Sequence, residues 1–222
     1  MEPARAAAGP GVAQASLDRL RALGDGIFAF AMTVLVLDVR LPAGGAALTS
    51  ASLLQALQAL LPAIGACVLS FLALCMYWIA HHNTFLVVAR TNRLFVALSM
   101  LFLLCIAFVP FAASVLARAP RLPLAIVLYG MSLTATSLVL WALVQYALGN
   151  GRLADASPRL EALPRGAIRR VLAPVGLYVA SMALAAWQPL LSVLAYLLLP
   201  LVYLVPSTVD GWAGGEPAGK VR

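Results

Sequence analysis

Few side chains in this sequence can do chemistry, and most of those sit at the ends of apolar runs. Arg19, Arg21 and Asp25 open one such run, Asp38 and Arg40 close it, and the Thr33 hydroxyl stands between them. An ionised group at bilayer depth costs at least ~2.5 to 3.5 kcal/mol, so such groups face protein or water and mark an ion or substrate path. Arg21 and Asp25 are four residues apart, on one helix face and within reach of an ion pair. Asp38 with Arg40 reads as an interfacial pair. Phe30, Val34 and Leu37 fall at i, i+4 and i+7 and make an apolar stripe, with Thr33 one residue aside. Such a stripe packs one helix on another or, repeated around a symmetry axis, forms stacked apolar rings that gate ions by dewetting. Periodicity does not choose between the two.

Trp78, His81 and His82 are expected to end a second helix at the membrane interface, where aromatic and polar rings are ordinary. In a functional reading Trp78 or a neutral His donates to Asp25. Catalysis has no visible apparatus: His81-His82 lacks the H-E-x-x-H spacing, and there is no G-x-S-x-G. Cys67, Cys75 and Cys105 have no metal-ligand spacing and read as small apolar residues inside spans. The sequence therefore predicts neither an enzyme nor a metal site, and no cofactor.

The elements that must position these residues are membrane helices. A chain that is 63% hydrophobic and 10% charged, with mean hydropathy +0.97, cannot wet the surface of a soluble domain. The expected fold is an all-α integral membrane protein with six transmembrane helices, roughly 20–41, 52–79, 94–117, 122–148, 167–187 and 189–206. Pro62 and Pro110 interrupt the second and third. Gln188-Pro189 breaks the final apolar run into a tight hairpin, because proline lacks the donor needed to continue a helix. Residues 1–15, rich in Ala, Gly and Pro, are expected to be a disordered cytosolic tail, 16–206 the six-helix domain and 207–222 a second cytosolic tail.

The net charge of +7 does not imply nucleic acid, because the basic residues lie in short segments between apolar runs. With six spans, twelve of the fifteen basic residues fall on the side of the termini, and only Arg40, Arg118 and Arg121 on the other. That bias places both termini in the cytoplasm of a multi-pass plasma-membrane protein. The connection from Gly149 to Arg165 is the longest.

Arg19 to Pro42 resembles the signature first helix of the transmembrane protein 175 potassium channel family, whose motif is R-x-x-x-F-S-D followed by an apolar run with a threonine. Arg19 and Asp25 match, while Leu23 and Gly24 stand where the family has Phe and Ser. The block Tyr77-Trp78-Ile79-Ala80-His81-His82-Asn83-Thr84-Phe85, continuing to Phe108-Val109-Pro110-Phe111, is similar to the family's second-to-third-helix region. The resemblance implies a prokaryotic single-repeat member in which four subunits surround a pore lined by the first helix of each. It aligns the constriction with Phe30 and further apolar layers with Val34 and Leu37. Thr33 aligns with the threonine linked to selectivity; Trp78, His81 and His82 are read, from their own chemistry, as candidate partners of the motif.

No T-V-G-Y-G loop is present, so any selectivity comes from pore width, hydroxyls and charge. The expected function is a homotetrameric, passive monovalent-cation channel of a bacterial plasma membrane, with potassium as permeant and moderate selectivity over sodium. The alternative is a proton- or cation-coupled transporter with Asp25 as the titrating carboxylate, although the matched halves typical of transporters are not visible.

Overall fold

The computed structural model describes residues 10–41, 49–149, 153 and 167–204. Among them the chain is helical: α1 (Pro10–Leu37), α2 (Ser50–Ala59), α3 (Leu61–Val87), α4 (Arg93–Arg118), α5 (Pro123–Leu148), α6 (Ala167–Leu184) and α7 (Pro189–Leu204). Residues 1–9 of the expected tail 1–15, the expected tail 207–222, and most of the Gly149 to Arg165 connection lie outside the described residues.

Among the described residues, four helices are long and apolar enough to cross a bilayer: Gln14–Leu37, Leu61–Val87, Arg93–Arg118 and Pro123–Leu148, of 24 to 27 residues. The C-terminal pair follows the expected hairpin, with a turn after Leu184 and Pro189 opening α7, but its helices are shorter, at 18 and 16 residues. Four spans by length and composition therefore stand where six were expected. α1 also starts at Pro10 instead of near Ser16, because proline is well suited to a first helical position and Ala13, Gln14 and Ala15 favour helix.

The second expected span differs at both ends. Pro62 would clash with the carbonyl four residues before it, and the chain turns at Leu60, leaving α2 as a separate helix with no buried residues. Thr49 starts α2 with a capping box, accepting from the Ser52 N–H at 3.2 Å while Ser52 Oγ accepts from the Thr49 N–H at 3.0 Å. α3 then runs past Trp78, His81 and His82 to Val87, since nothing in Asn83-Thr84-Phe85-Leu86-Val87 breaks a helix. The three residues lie inside this helix and do not end it. Asn92 starts α4 by accepting from the Phe95 N–H at 2.9 Å. Pro110 is absorbed inside α4, and Pro123 opens α5.

α4 is the central element, packed against α1, α3 and α5, while α6 packs on α5 and α7, and α7 also reaches α3. Phe95, Phe102, Ile106 and Val109 form a fully buried stripe on α4 at helical spacing. Two sets of contacts mark the ends of the bundle. At one, the Arg21 guanidinium donates to the Phe85 carbonyl, Asn92 donates to the Tyr146 hydroxyl, and the Leu153 carbonyl accepts from the Ala89 and Arg90 N–H groups at 2.9 and 3.2 Å. At the other, Asp38 after α1 meets Arg118 at the end of α4. α1 and α4 thus run parallel, with α3 antiparallel between them in sequence.

Candidate functional site

α1 has two distinct faces, as a 3.6-residue period requires. Leu17, Leu20, Gly24, Phe28, Ala31 and Leu35 are buried against the bundle. Gly26, Phe30, Thr33 and Leu37, spaced by four, three and four residues, form an exposed ridge opposite, with Phe30 73% and Leu37 61% exposed. Val34 is half-buried on the flank of this ridge, so the ridge runs through Thr33 and not through Val34. Extending the spacing back by seven residues from Gly26 reaches Arg19, which is exposed as well. The Thr33 hydroxyl donates to the Ala29 carbonyl at 2.7 Å.

The motif residues are anchored on α3. Trp78 Nε1 donates to Asp25 Oδ1 at 2.8 Å, and the His82 ring stacks on Trp78 with centroids 5.2 Å apart and planes 24° apart. This is a hydrogen bond between neutral indole and carboxylate, of the stronger charge-assisted kind. His81 points the other way, into the core. It is 3% exposed, stacks on Phe102 at 5.2 Å and 18°, and meets Phe85 and Phe28 at 4.6 and 6.0 Å. Gly24 is what admits it: a Cβ at that position would lie 3.0 Å from His81 Cε1. A residue as small as glycine lets α1 rest directly on the imidazole edge. Leu23, one residue before, is exposed.

Two expected ion pairs have different partners. Arg21 does not neutralise Asp25; it pairs with Asp18 at 3.5 Å, and its guanidinium lies 5.9 Å from the centroid of the Phe85 ring. Asp18 is a turn earlier, and the bond to the Phe85 carbonyl pulls the long Arg21 side chain toward α3. Arg40 does not pair with Asp38; its Nε donates to the Leu37 carbonyl at 2.9 Å, satisfying an acceptor left open at the end of α1. Asp38 instead meets Arg118 Nη2 at 3.8 Å. Sequence reasoning missed Asp18, Phe85 and Arg118. Arg118 had a signal, being one of only three basic residues assigned to the Asp38 side.

The three cysteines are free and half-buried, and no group of three or more His, Cys, Asp or Glu able to hold a metal ion occurs among the described residues. What the site offers is an apolar ridge with one hydroxyl, flanked by two aspartates held by neighbouring helices. It can pass or exclude an ion, but it presents no nucleophile with an adjacent base.

Residues 19–110 match the family described as endosomal/lysosomal potassium channel TMEM175. A potassium channel of Streptomyces collinus is 34% identical over 193 residues, covering 83% of this chain and 90% of that protein. A potassium channel of Chamaesiphon minutus is 36% identical over 105 residues, covering 47% of this chain and 51% of its own length. Among solved structures, the crystal structure of a lysosomal potassium-selective channel TMEM175 homolog from Chamaesiphon minutus superposes with a TM-score of 0.73 at 28% identity, over 87% of this chain and 98% of that one.

Proposed function

Because the chain belongs to the endosomal/lysosomal potassium channel TMEM175 family, we propose that it is a potassium-permeable channel whose pore is lined by α1 from each of four copies. The protein is a membrane ion channel and not an enzyme. The observation that carries the pore assignment is the ridge of α1. This helix holds the family signature, yet leaves Phe30 and Leu37 exposed in the protomer while its other face is packed. Around a four-fold axis those side chains form two apolar rings, with the Thr33 hydroxyls between them.

Passage is then governed by the wetting of the Phe30 ring, the narrowest apolar layer, with Leu37 as a second layer and Val34 supporting from the flank. Selectivity is modest, since potassium gives up its water more readily than sodium in front of the Thr33 oxygens. The Asp25–Trp78 bond, the His82 stack and the seat of Gly24 on His81 fix the cytoplasmic half of α1 to α3, so that the ridge keeps its rotation. α6 and α7 complete six spans, with both termini in the cytoplasm and potassium as the permeant, in a bacterial plasma membrane. The transporter reading needs Asp25 as a proton carrier, and its bond to Trp78 gives it a structural task instead.

A planar-bilayer or liposome recording under opposed potassium and sodium gradients tests this reading. A passive current reversing on the potassium side of zero is the expected result. Transport that moves only in fixed stoichiometry with a second ion would overturn it.

A further inference from the structure

The far end of α1 carries an electrostatic problem that the channel reading leaves open. Asp38 is the sole acidic residue between Gly26 and Ala154, and the side of the bundle on which it lies holds Arg40, Arg118 and Arg121. Three arginines against one aspartate make this a net positive mouth, which repels the ions a cation channel must admit. The α6–α7 turn, Ala185 to Gln188, adds no charge to that end. Charges at a channel entrance set the local ion concentration and with it the rate of entry.

Asp38 follows Leu37, the last residue of the exposed ridge, and is therefore the attractive charge nearest the mouth of a pore built from α1. Its partner Arg118 arrives from α4, 3.8 Å away, and both side chains are open to solvent, 39% exposed for Asp38 and 78% for Arg118. Exposed pairs of this kind add little to stability, so the contact is poorly explained as a staple of the fold. Arg40 turns its Nε to the Leu37 carbonyl and keeps its charge at this end, while Arg118 is the cation in direct contact with Asp38.

We propose that the Asp38–Arg118 pair controls the entry of permeant cations, with Asp38 drawing them to the outer mouth and Arg118 holding that attraction down. The inference rests on the channel reading above. It makes Arg118 a positioning residue for the field and places it outside the conducting path.

The test is potassium flux per assembled protein in liposomes holding the full chain, at low and at high salt, where the screening length is about 30 Å at 0.01 M and about 3 Å at 1 M. Arg118→Gln is expected to raise flux roughly two- to fivefold at low salt and to match the parent at high salt, where its field is screened. Asp38→Asn is expected to lower flux at low salt by a similar factor, and Arg118→Lys to keep the parent rate. Flux from Arg118→Gln that equals the parent at both salts, or changes by the same factor at both, overturns the proposal. Should Arg118→Gln fail to assemble, Asp38→Asn decides alone, and a ratio of its flux to the parent's that is the same at both salts overturns it. A parent protein that passes no potassium overturns the channel reading itself, and this inference with it.

Discussion

Phe30 is the residue on which the pore assignment is most directly exposed to test. Its side chain is 73% exposed in the protomer, so it adds little to the packing of the bundle, whereas a buried phenylalanine removed to alanine costs ~3 to 5 kcal/mol. Phe30→Ala is therefore expected to leave the protomer folded while raising potassium flux several-fold, by widening the apolar ring and easing its wetting. Flux at or below the parent level from normally assembled protein would remove Phe30 as the constriction. The neighbouring residues show how far single side chains could be read from sequence. The need of Asp25 for a partner and the polar groups near Trp78 were legible, because charge within an apolar helix is scarce and calls for one. The bond from Trp78 to Asp25 was among the readings the sequence offered, whereas the loss of Arg21 as a partner was not legible, since Arg21 is drawn away by Asp18 and the Phe85 carbonyl, the latter 64 residues distant in sequence. Likewise Arg40 lies nearer than Arg118 to Asp38 along the chain, and only the parallel run of α1 and α4 brings the more remote arginine to it.

Among the elements, prolines were the most readable signals and also the most uneven. Pro189 opens α7 as expected and Pro62 stands just after the turn that separates α2 from α3, yet Pro110 is carried within α4 with no break. The difference lies in packing: Pro110 is buried in the fully enclosed stripe of α4, whereas α2 has no buried residues to hold it in line. The close contact of α5 with α6 and α7 was invisible, because it depends on a small residue meeting large ones across helices. A Cβ at Gly130 would lie 2.2 Å from the Tyr196 hydroxyl and 2.6 Å from Met182 Cγ. Tyr196 cannot step aside easily, being fully buried, packed on Tyr129 and Tyr178, and donating to the Ile126 carbonyl at 3.1 Å. Gly130→Ala should thus destabilise the protein by roughly 1 to 3 kcal/mol. Gly65→Ala, whose Cβ would meet nothing within 4 Å, should be neutral or slightly stabilising. Thermal unfolding in detergent compares the two; coincident midpoints would show that the α5 seam yields freely.

For the whole molecule, the arrangement of basic residues carried most of the information. The expected bias of twelve against three grouped the ends of six spans, and among the described residues the contacts of Arg21 with Phe85 and of Asp38 with Arg118 join helix ends that it grouped together. The number of copies is not encoded in such a pattern, because one protomer satisfies it alone. In the channel reading, the ridge that stays uncovered in the protomer and carries Arg19, Thr33 and two large apolar side chains is covered by further copies of the chain. The native mass in detergent is expected to be four chains, and a monomeric mass under conditions that preserve flux would exclude a central pore of one helix per subunit. If α1 does line that pore, the bond from the Thr33 hydroxyl to the Ala29 carbonyl gains a second meaning. Threonine has a single hydroxyl proton, and here it is spent within the helix. What each oxygen can then turn toward the axis is electron density alone, so a ring of four is blind to chloride, which needs a proton to lean on, and welcomes any bare positive ion.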